Sequence, residues 1–268
     1  MIATLHIQTV LRNGRTSLAK AYTTSPLKVA DITEDKNGGQ LDLMLMSSSP
    51  GILDGDDYRM KIEVAPGCRM SLQTQSYQRL FTMAKGACQT MEVHIGKGAS
   101  FCCIPHPTVP HTGSVYKALN KIYLSADSNL IWGEIITCGR KLSGEQFRFS
   151  KLHILTDVFL NDKLIIKENL LVEPGKNNIA AVGHWEGYTH HASLLFISNT
   201  ESLSRLMEEV NGLLTNTKNI MYGISLAPVN GLVIRILGTK GEQLFDCLKT
   251  ISLLLLQPLN NPIPVYAS

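Results

Sequence analysis

Along the first two-thirds of the chain, apolar and polar residues alternate with a period of two, the spacing of a half-buried strand. Leu5, Ile7, Thr9 and Leu11 set the pattern, Arg12-Asn13-Gly14-Arg15 turns, and Leu18 to Tyr22 returns. Asn-Gly between two alternating runs predicts a hairpin, because both central positions of a type I′ turn need positive φ. Asn37-Gly38-Gly39 repeats the signal ahead of Leu41-Leu43-Leu45, and Asn161-Asp162-Lys163 and Pro174-Gly175-Lys176 mark later turns. Met70 to Ser76 is another alternating run, with Thr74 facing away from Gln73 and Gln75. No amphipathic helix is expected before about residue 199.

A weak repeat runs through this region. Ile62-x-Val64, Gly67-Cys68 and Met70-x-Leu72 form one unit. Val93-x-Ile95, Gly98-Ala99 and Phe101-x-Cys103 form a second, and Ile122-x-Leu124, Asp127-Ser128 and Leu130-x-Trp132 a third. Corresponding turns lie about 30 residues apart, a period typical of stacked units. Each unit reads as a hairpin whose apolar face needs its neighbours to be buried, so stacking would create one continuous core.

The pattern changes near the C-terminus. After the strand-like Ala192-Leu194-Phe196, Thr200 reads as a cap, with Glu201 near the positive end of the helix dipole. Leu203, Leu206, Met207, Val210 and Leu213 follow at helical spacing. Ile220 to Leu226 and Leu232 to Leu237 read as strands joined at Pro228-Val229-Asn230-Gly231. A second helix, opening at Thr239 or Gly241, carries Leu244, Phe245, Leu248, Ile251, Ser252 and Leu255 on one face and ends at Pro258, before an extended tail. The expected fold is mainly β: stacked, β-helix-like strands over 1–198, and an α+β part with two helices over 199–268, packed with the body as one unit. Helix faces this apolar need a cover, either the β body or another chain.

Composition narrows the classes. The chain has 268 residues, a net charge of +3, 44% hydrophobic and 18% charged residues. Lys and Arg form no run, which gives nucleic-acid binding little support. The N-terminus lacks a basic segment followed by an apolar one, and Ile251 to Leu256 is far shorter than the roughly 20 apolar residues of a membrane span. A cytoplasmic protein is expected, with no membrane partner. The cysteines at 68, 88, 102, 103, 138 and 247 have no C-x-x-C spacing and read as free thiols in a reducing compartment. Cys102 and Cys103 are adjacent, so in a strand they face opposite ways.

Several clusters could carry chemistry. Asp54, Asp56 and Asp57 form an acidic loop that also fits a solvated turn. His106 and His111 lie five apart in the proline-rich segment Pro105 to His111, but two ligands do not make a zinc site. Gly183 to His191 packs three histidines, Glu186, Trp185 and Tyr188 together, as a ligand pocket, a partner contact or a sheet-end turn. Glu134 and Glu145 flank Gly139-Arg140 and Gly144; they could do acid–base work, or one could pair with the arginine. No nucleophile elbow, P-loop, dinucleotide fingerprint or H-E-x-x-H is present, so no enzyme activity is expected.

Taken in order, these segments resemble the UreD/UreH family of urease accessory proteins. Pro50-Gly51-x-x-x-Gly55-Asp56 is similar to the family's glycine-rich Gly-Asp segment, and Thr74-Gln75-Ser76 to its Thr-Gln strand. Pro105 to Pro110 resembles its proline-bounded segment, and Glu134…Gly139-Arg140…Gly144-Glu145 its Glu…Gly-Arg…Gly-Glu series. Gly187-Tyr188-Thr189-His190 resembles the UreH-type branch, and Arg235 the late strand. His106 departs from the family, which often has Gln there. The resemblance implies a non-catalytic, cytoplasmic chaperone that binds apo-urease, a helical UreF-type partner in a 2:2 complex and a UreG-type GTPase. It implies no tightly bound cofactor but Ni²⁺ in transit, which carboxylates and water would hold weakly. The carried-over candidates for that passage are Asp56, Glu134 and Glu145, with Arg140 fixing one of them. The competing expectations are a β-solenoid that binds or hydrolyses carbohydrate, and a tight nickel metallochaperone. With 6% aromatic residues, sugar platforms are sparse.

Overall fold

Strands form where the alternation predicts them, and a computed structural model describes residues 1–36, 38–199 and 203–260. In chain order they are β1 (Ile2–Arg12), β2 (Arg15–Thr23), β3 (Leu27–Asp31), β4 (Gln40–Ser47), β5 (Asp57–Val64), β6 (Arg69–Thr74), β7 (Gln78–Leu80) and β8 (Ala87–Ile95). Next come β9 (Ser100–Ile104), β10 (Thr108–Pro110), β11 (Val115–Leu124), β12 (Asn129–Thr137), β13 (Lys151–Leu160), β14 (Lys163–Val172) and β15 (His190–Ile197). Helix α1 (Leu203–Thr215), strands β16 (Met221–Leu226) and β17 (Gly231–Gly238), and helix α2 (Gly241–Asn260) complete the order. Asn37, Thr200, Glu201 and the tail beyond Asn260, on which a turn, a helix cap and an extended segment were expected, lie outside the described residues.

Two mixed sheets face each other. The first is seven-stranded, ordered β14-β13-β11-β8-β5-β1-β2. The second runs β16-β17-β15-β12-β9-β6-β4-β3, with β7 and β10 joined at its margin. The three repeat units are present and stacked in parallel, but they are not hairpins. In each, the first strand belongs to one sheet and the second to the other: β5 then β6, β8 then β9, β11 then β12. The correction has a local cause. Gly67, Gly98 and Asp127 all take positive φ at the corner, and such a corner can fold a chain back or carry it across to a facing sheet.

Parallel, in-register pairing then stacks like on like. Ile62, Val93, Ile122 and Val158 are Cα partners across four strands of the first sheet, and all are fully buried. Met70, Phe101 and Leu130 do the same in the second. Two of the three predicted Asn turns are true hairpins: Asn13 and Gly14 join β1 to β2, and Asn161 and Asp162 join β13 to β14, all with positive φ.

The second sheet is covered on its other face. Ile131, Ile135, Leu194, Phe196 and Ile234 point away from the first sheet and pack with Leu206, Val210, Leu248 and Ile251 of the two helices. The predicted apolar helix faces are therefore covered by the body; Leu253 remains outside, 62% exposed. β16 and β17 extend the same sheet through β15. α2 continues two residues past Pro258, which was expected to end it. A proline in the last turn removes one donor and does not by itself stop the helix. Cys102 lies in the helix-side layer and Cys103 between the sheets, as adjacent strand residues must. The six cysteines are free, and all but Cys88 are buried. Among the described residues, no helix is long and apolar enough to cross a membrane.

Candidate functional site

Between the sheets, near the ends of β6, β9 and β12, the core is interrupted by a cavity of about 180 Å³. The inward alternation of β11 reads Tyr116, Ala118, Asn120, Ile122, Leu124, and that of β13 Leu152, Ile154, Thr156, Val158, Leu160. Asn120 and Thr156 are Cα partners, so one polar step in each strand falls at the same level. Opposite them β12 turns Glu134 inward. Its Oε1 accepts Trp132 Nε1–H at 3.0 Å, the Thr156 hydroxyl at 2.8 Å and Asn120 Nδ2–H at 3.2 Å. Protein surrounds the carboxyl, and its remaining accessible surface faces the cavity. Burial pushes its pKa up; the Trp132 and Thr156 donors pull the other way. Tyr58 OH, Tyr116 OH and Asn120 Oδ1 are buried at this cavity without a hydrogen-bond partner among the described residues.

The polar level continues to the surface. Glu134, Ser193 and Arg235 are successive partners across β12, β15 and β17. Thr156 and Glu168 are partners across β13 and β14. At the open margin Arg235 Nη2 donates to both oxygens of Glu168, each at 2.8 Å, tying one sheet to the other. At the other end the cavity is rimmed by Ser49 to Gly51, Gln73 to Tyr77, and Pro105-His106.

The sequence-predicted residues divide between this cavity and the loops. Gly51, Thr74, Gln75, Pro105 and Glu134 line the cavity. A Cβ on Gly51 would run into the Arg79 carbonyl, which explains glycine there. Gln75 N–H donates to the Leu45 carbonyl at 2.9 Å and holds the rim to β4. Gly55 turns with φ +77°. Asp56 is buried outside the cavity, its oxygens accepting the Leu53 N–H at 2.9 Å and the Met1 amino group at 3.1 Å. Pro110 pairs with Leu80, and a Cβ on Gly139 would meet the Pro110 carbonyl at 2.8 Å. Gly144, φ +77°, closes the short 3₁₀ turn Lys141–Ser143. Arg140 pairs with Glu145, Nε to Oε2 at 2.9 Å and Nη2 to Oε1. That pairing holds the Glu145 carboxyl down to about 2. The arginine is 47% exposed, so the pair is a surface one.

The histidine segments do not converge. His184 Nδ1 donates to the Asn178 carbonyl at 3.0 Å on the surface, while His190 Nδ1 meets Thr189 Oγ1 at 2.9 Å. Trp185 is buried edge-on to Phe147. Among the described residues no three His, Cys, Asp or Glu side chains gather as a metal site. Sequence reasoning missed Asn120, Thr156, Tyr58, Tyr116 and Glu168. The signal was the polar residue at an inward parity position in an otherwise apolar alternation.

The profile of the family described as UreD urease accessory protein matches residues 1–266. The chain belongs to the UreD family. It is 44% identical to the urease accessory protein UreD of Flavobacterium johnsoniae, over 94% of this chain and 91% of the relative. It is 34% identical to that of Acetivibrio thermocellus, over 92% and 94%. For Haemophilus influenzae the figures are 32%, 91% and 94%. Membership supports a role in urease maturation, and the relatives are named as accessory proteins rather than enzymes.

Proposed function

We propose that this chain is a non-catalytic scaffold of urease maturation that lets Ni²⁺ pass through its inter-sheet cavity. One observation carries the reading: a single carboxyl, Glu134, sits in a cavity with three otherwise unpartnered polar atoms. Such a lining is costly in a core built for stability alone. It suits a hydrated dication that must be held weakly and released. Water and one carboxylate form a hard, incomplete oxygen set, unlike the closed nitrogen and sulfur sites that retain a metal. Glu134 would offer the oxygen not engaged by Trp132, Thr156 and Asn120, while the tyrosine hydroxyls and Asn120 Oδ1 would meet the ion's water.

Asp56 and Glu145 have their oxygens committed to loop contacts, and we assign them to shaping the Gly55 and Gly139–Gly144 turns. The Glu168–Arg235 pair lies where the polar level reaches solvent. Apo-urease, a helical UreF-type protein in a 2:2 complex and a UreG-type GTPase are the partners this reading requires, in the cytoplasm.

The test is urease activation in a reconstituted system with Glu134→Gln, which keeps the three acceptor contacts and removes the charge. Nickel incorporation should fall about tenfold or more, the scale of one lost charge-assisted contact of about 1.5–3 kcal/mol. Complex formation should be unchanged and the melting temperature should not fall. Full incorporation with Glu134→Gln would end the proposal.

A further inference from the structure

The polar atoms of the cavity are nearly all acceptors, and they fit one kind of organic cation. Glu134 Oε1 accepts from Trp132, Thr156 and Asn120, while Oε2 has no donor among the described residues. No Lys, Arg or His among them pairs with this carboxyl. Asn120 commits Nδ2 to Glu134 and, at 2.9 Å, to Thr156 Oγ1, which leaves Oδ1 a buried acceptor without a donor. The amide cannot be turned round, because its oxygen would then face the carboxylate. Tyr58 and Tyr116 are 4% and 2% exposed, and each hydroxyl is buried at the cavity without a partner among the described residues. Met60, Met91, Ile136 and Ile154 make the adjoining walls apolar. Leu72, Cys103 and Trp132 are Cα partners across β6, β9 and β12. Two residues on, Thr74 at the rim and Glu134 inside share a level, two strand spacings or about 10 Å apart.

We propose that the cavity binds a primary alkylammonium, the group that ends a lysine side chain or a small free amine, with its stem towards the rim and its charge against Glu134. The donor count selects the head group. An ammonium has three N–H donors and no acceptor, and Glu134 Oε2, Asn120 Oδ1 and a tyrosine oxygen are the acceptors that await them. A guanidinium is held best by a carboxylate that offers both oxygens, and here Oε1 already accepts from Trp132, Thr156 and Asn120. A quaternary ammonium has no N–H to donate. An inorganic monocation would cover none of the methionine and isoleucine walls, whereas a four-carbon stem packs along them. One positive charge also balances the one carboxylate, whose burial is otherwise unfavourable. The site is the one proposed above for nickel, so an alkylammonium and Ni²⁺ would exclude each other there. That consequence rests on the nickel reading; the amine site does not.

The experiment titrates n-butylammonium chloride into the full chain at constant ionic strength, without metal, followed by calorimetry and by melting temperature. Binding should saturate and raise the melting temperature. n-Butanol has the shape without the charge, and tetramethylammonium the charge without a donor; each should bind about tenfold more weakly or worse. n-Butylguanidinium should fall between. Glu134→Gln should weaken n-butylammonium about tenfold or more, and Tyr116→Phe should weaken it less. Equal binding of n-butanol and n-butylammonium to wild type would overturn the proposal, as would no binding; neither result depends on a variant folding. Equal binding to wild type and Glu134→Gln would overturn it too. Nα-acetyl-lysine N-methylamide then separates the sources. Binding as tight as n-butylammonium supports a side chain presented at the rim, and weaker binding supports a free amine. Last, nickel incorporation into urease is measured with n-butylammonium present, and it should slow as the site fills. Amine binding with undiminished incorporation would count against the nickel route and not against the amine site. Lost incorporation in Glu134→Gln with no amine binding to wild type would do the reverse.

Discussion

The two faces of the second sheet are made by the same strands and are built differently. Towards the helices, Ile131, Ile135, Leu194, Phe196 and Ile234 pack into an apolar cluster with the helix side chains. Towards the first sheet, the neighbouring positions Glu134 and Ser193 join Asn120 and Thr156 in a polar level that breaks an otherwise apolar stack. Ile135 and Glu134 are adjacent, so a difference of one residue separates a layer that serves folding from one that burdens it. Burial of a carboxyl is unfavourable even when donors surround it. The helix side shows what this sheet does when stability is the only demand.

The largest effect should come from the apolar face. Phe196→Ala should cost about 3–5 kcal/mol, because a fully buried ring leaves a cavity between sheet and helices. Denaturant unfolding measures it; a smaller loss than for any change in the polar level would break the comparison.

Glu134→Ala comes next, at about 1–3 kcal/mol, since it strands the donors of Trp132, Thr156 and Asn120. Glu134→Gln should behave oppositely. The native carboxyl has a raised pKa, so the unfolded chain ionises first as pH rises and wild-type stability declines from about pH 4 upward. Melting curves should show the Gln variant at least as stable as wild type at neutral pH, with the two converging near pH 4. Divergence in acid would mean the carboxyl is held ionised.

Thr156→Val should cost about 1 kcal/mol, a methyl taking the place of one hydrogen-bonded hydroxyl. At the small end, Arg235→Gln should change stability by about 0.5 kcal/mol, as for other exposed pairs. A much larger loss on thermal unfolding would show that the Glu168 bridge carries the sheets' separation.

Much of the fold was legible because period-two alternation and helical spacing are local. The Asn13-Gly14 and Asn161-Asp162 turns, both helices and their buried faces follow directly from neighbouring residues. The repeat was legible too, but not its pairing. Gly67, Gly98 and Asp127 give the corner its handedness and leave open whether the next strand pairs with the last one or faces it. The cavity was less legible still. Asn120, Glu134 and Thr156 are separate remarks in the sequence, and only the register β11–β13 and the facing of β12 join them. Thr74 and Pro105 were found through resemblance, whereas their shared rim is a product of stacking. The bond from Thr74 to His106 could not be read from either segment alone.

The parallel stack is bracketed by reversed strands. β1–β2 and β13–β14 terminate the first sheet, and β3–β4 and β15–β17 the second, all with antiparallel partners. A column of like coils has no intrinsic length; each end offers the next coil the same seat. Reversing the direction at both ends withdraws that seat. The body is thereby a counted object: a coil gained or lost in its middle would re-space both brackets, and with them the distance between rim and outlet.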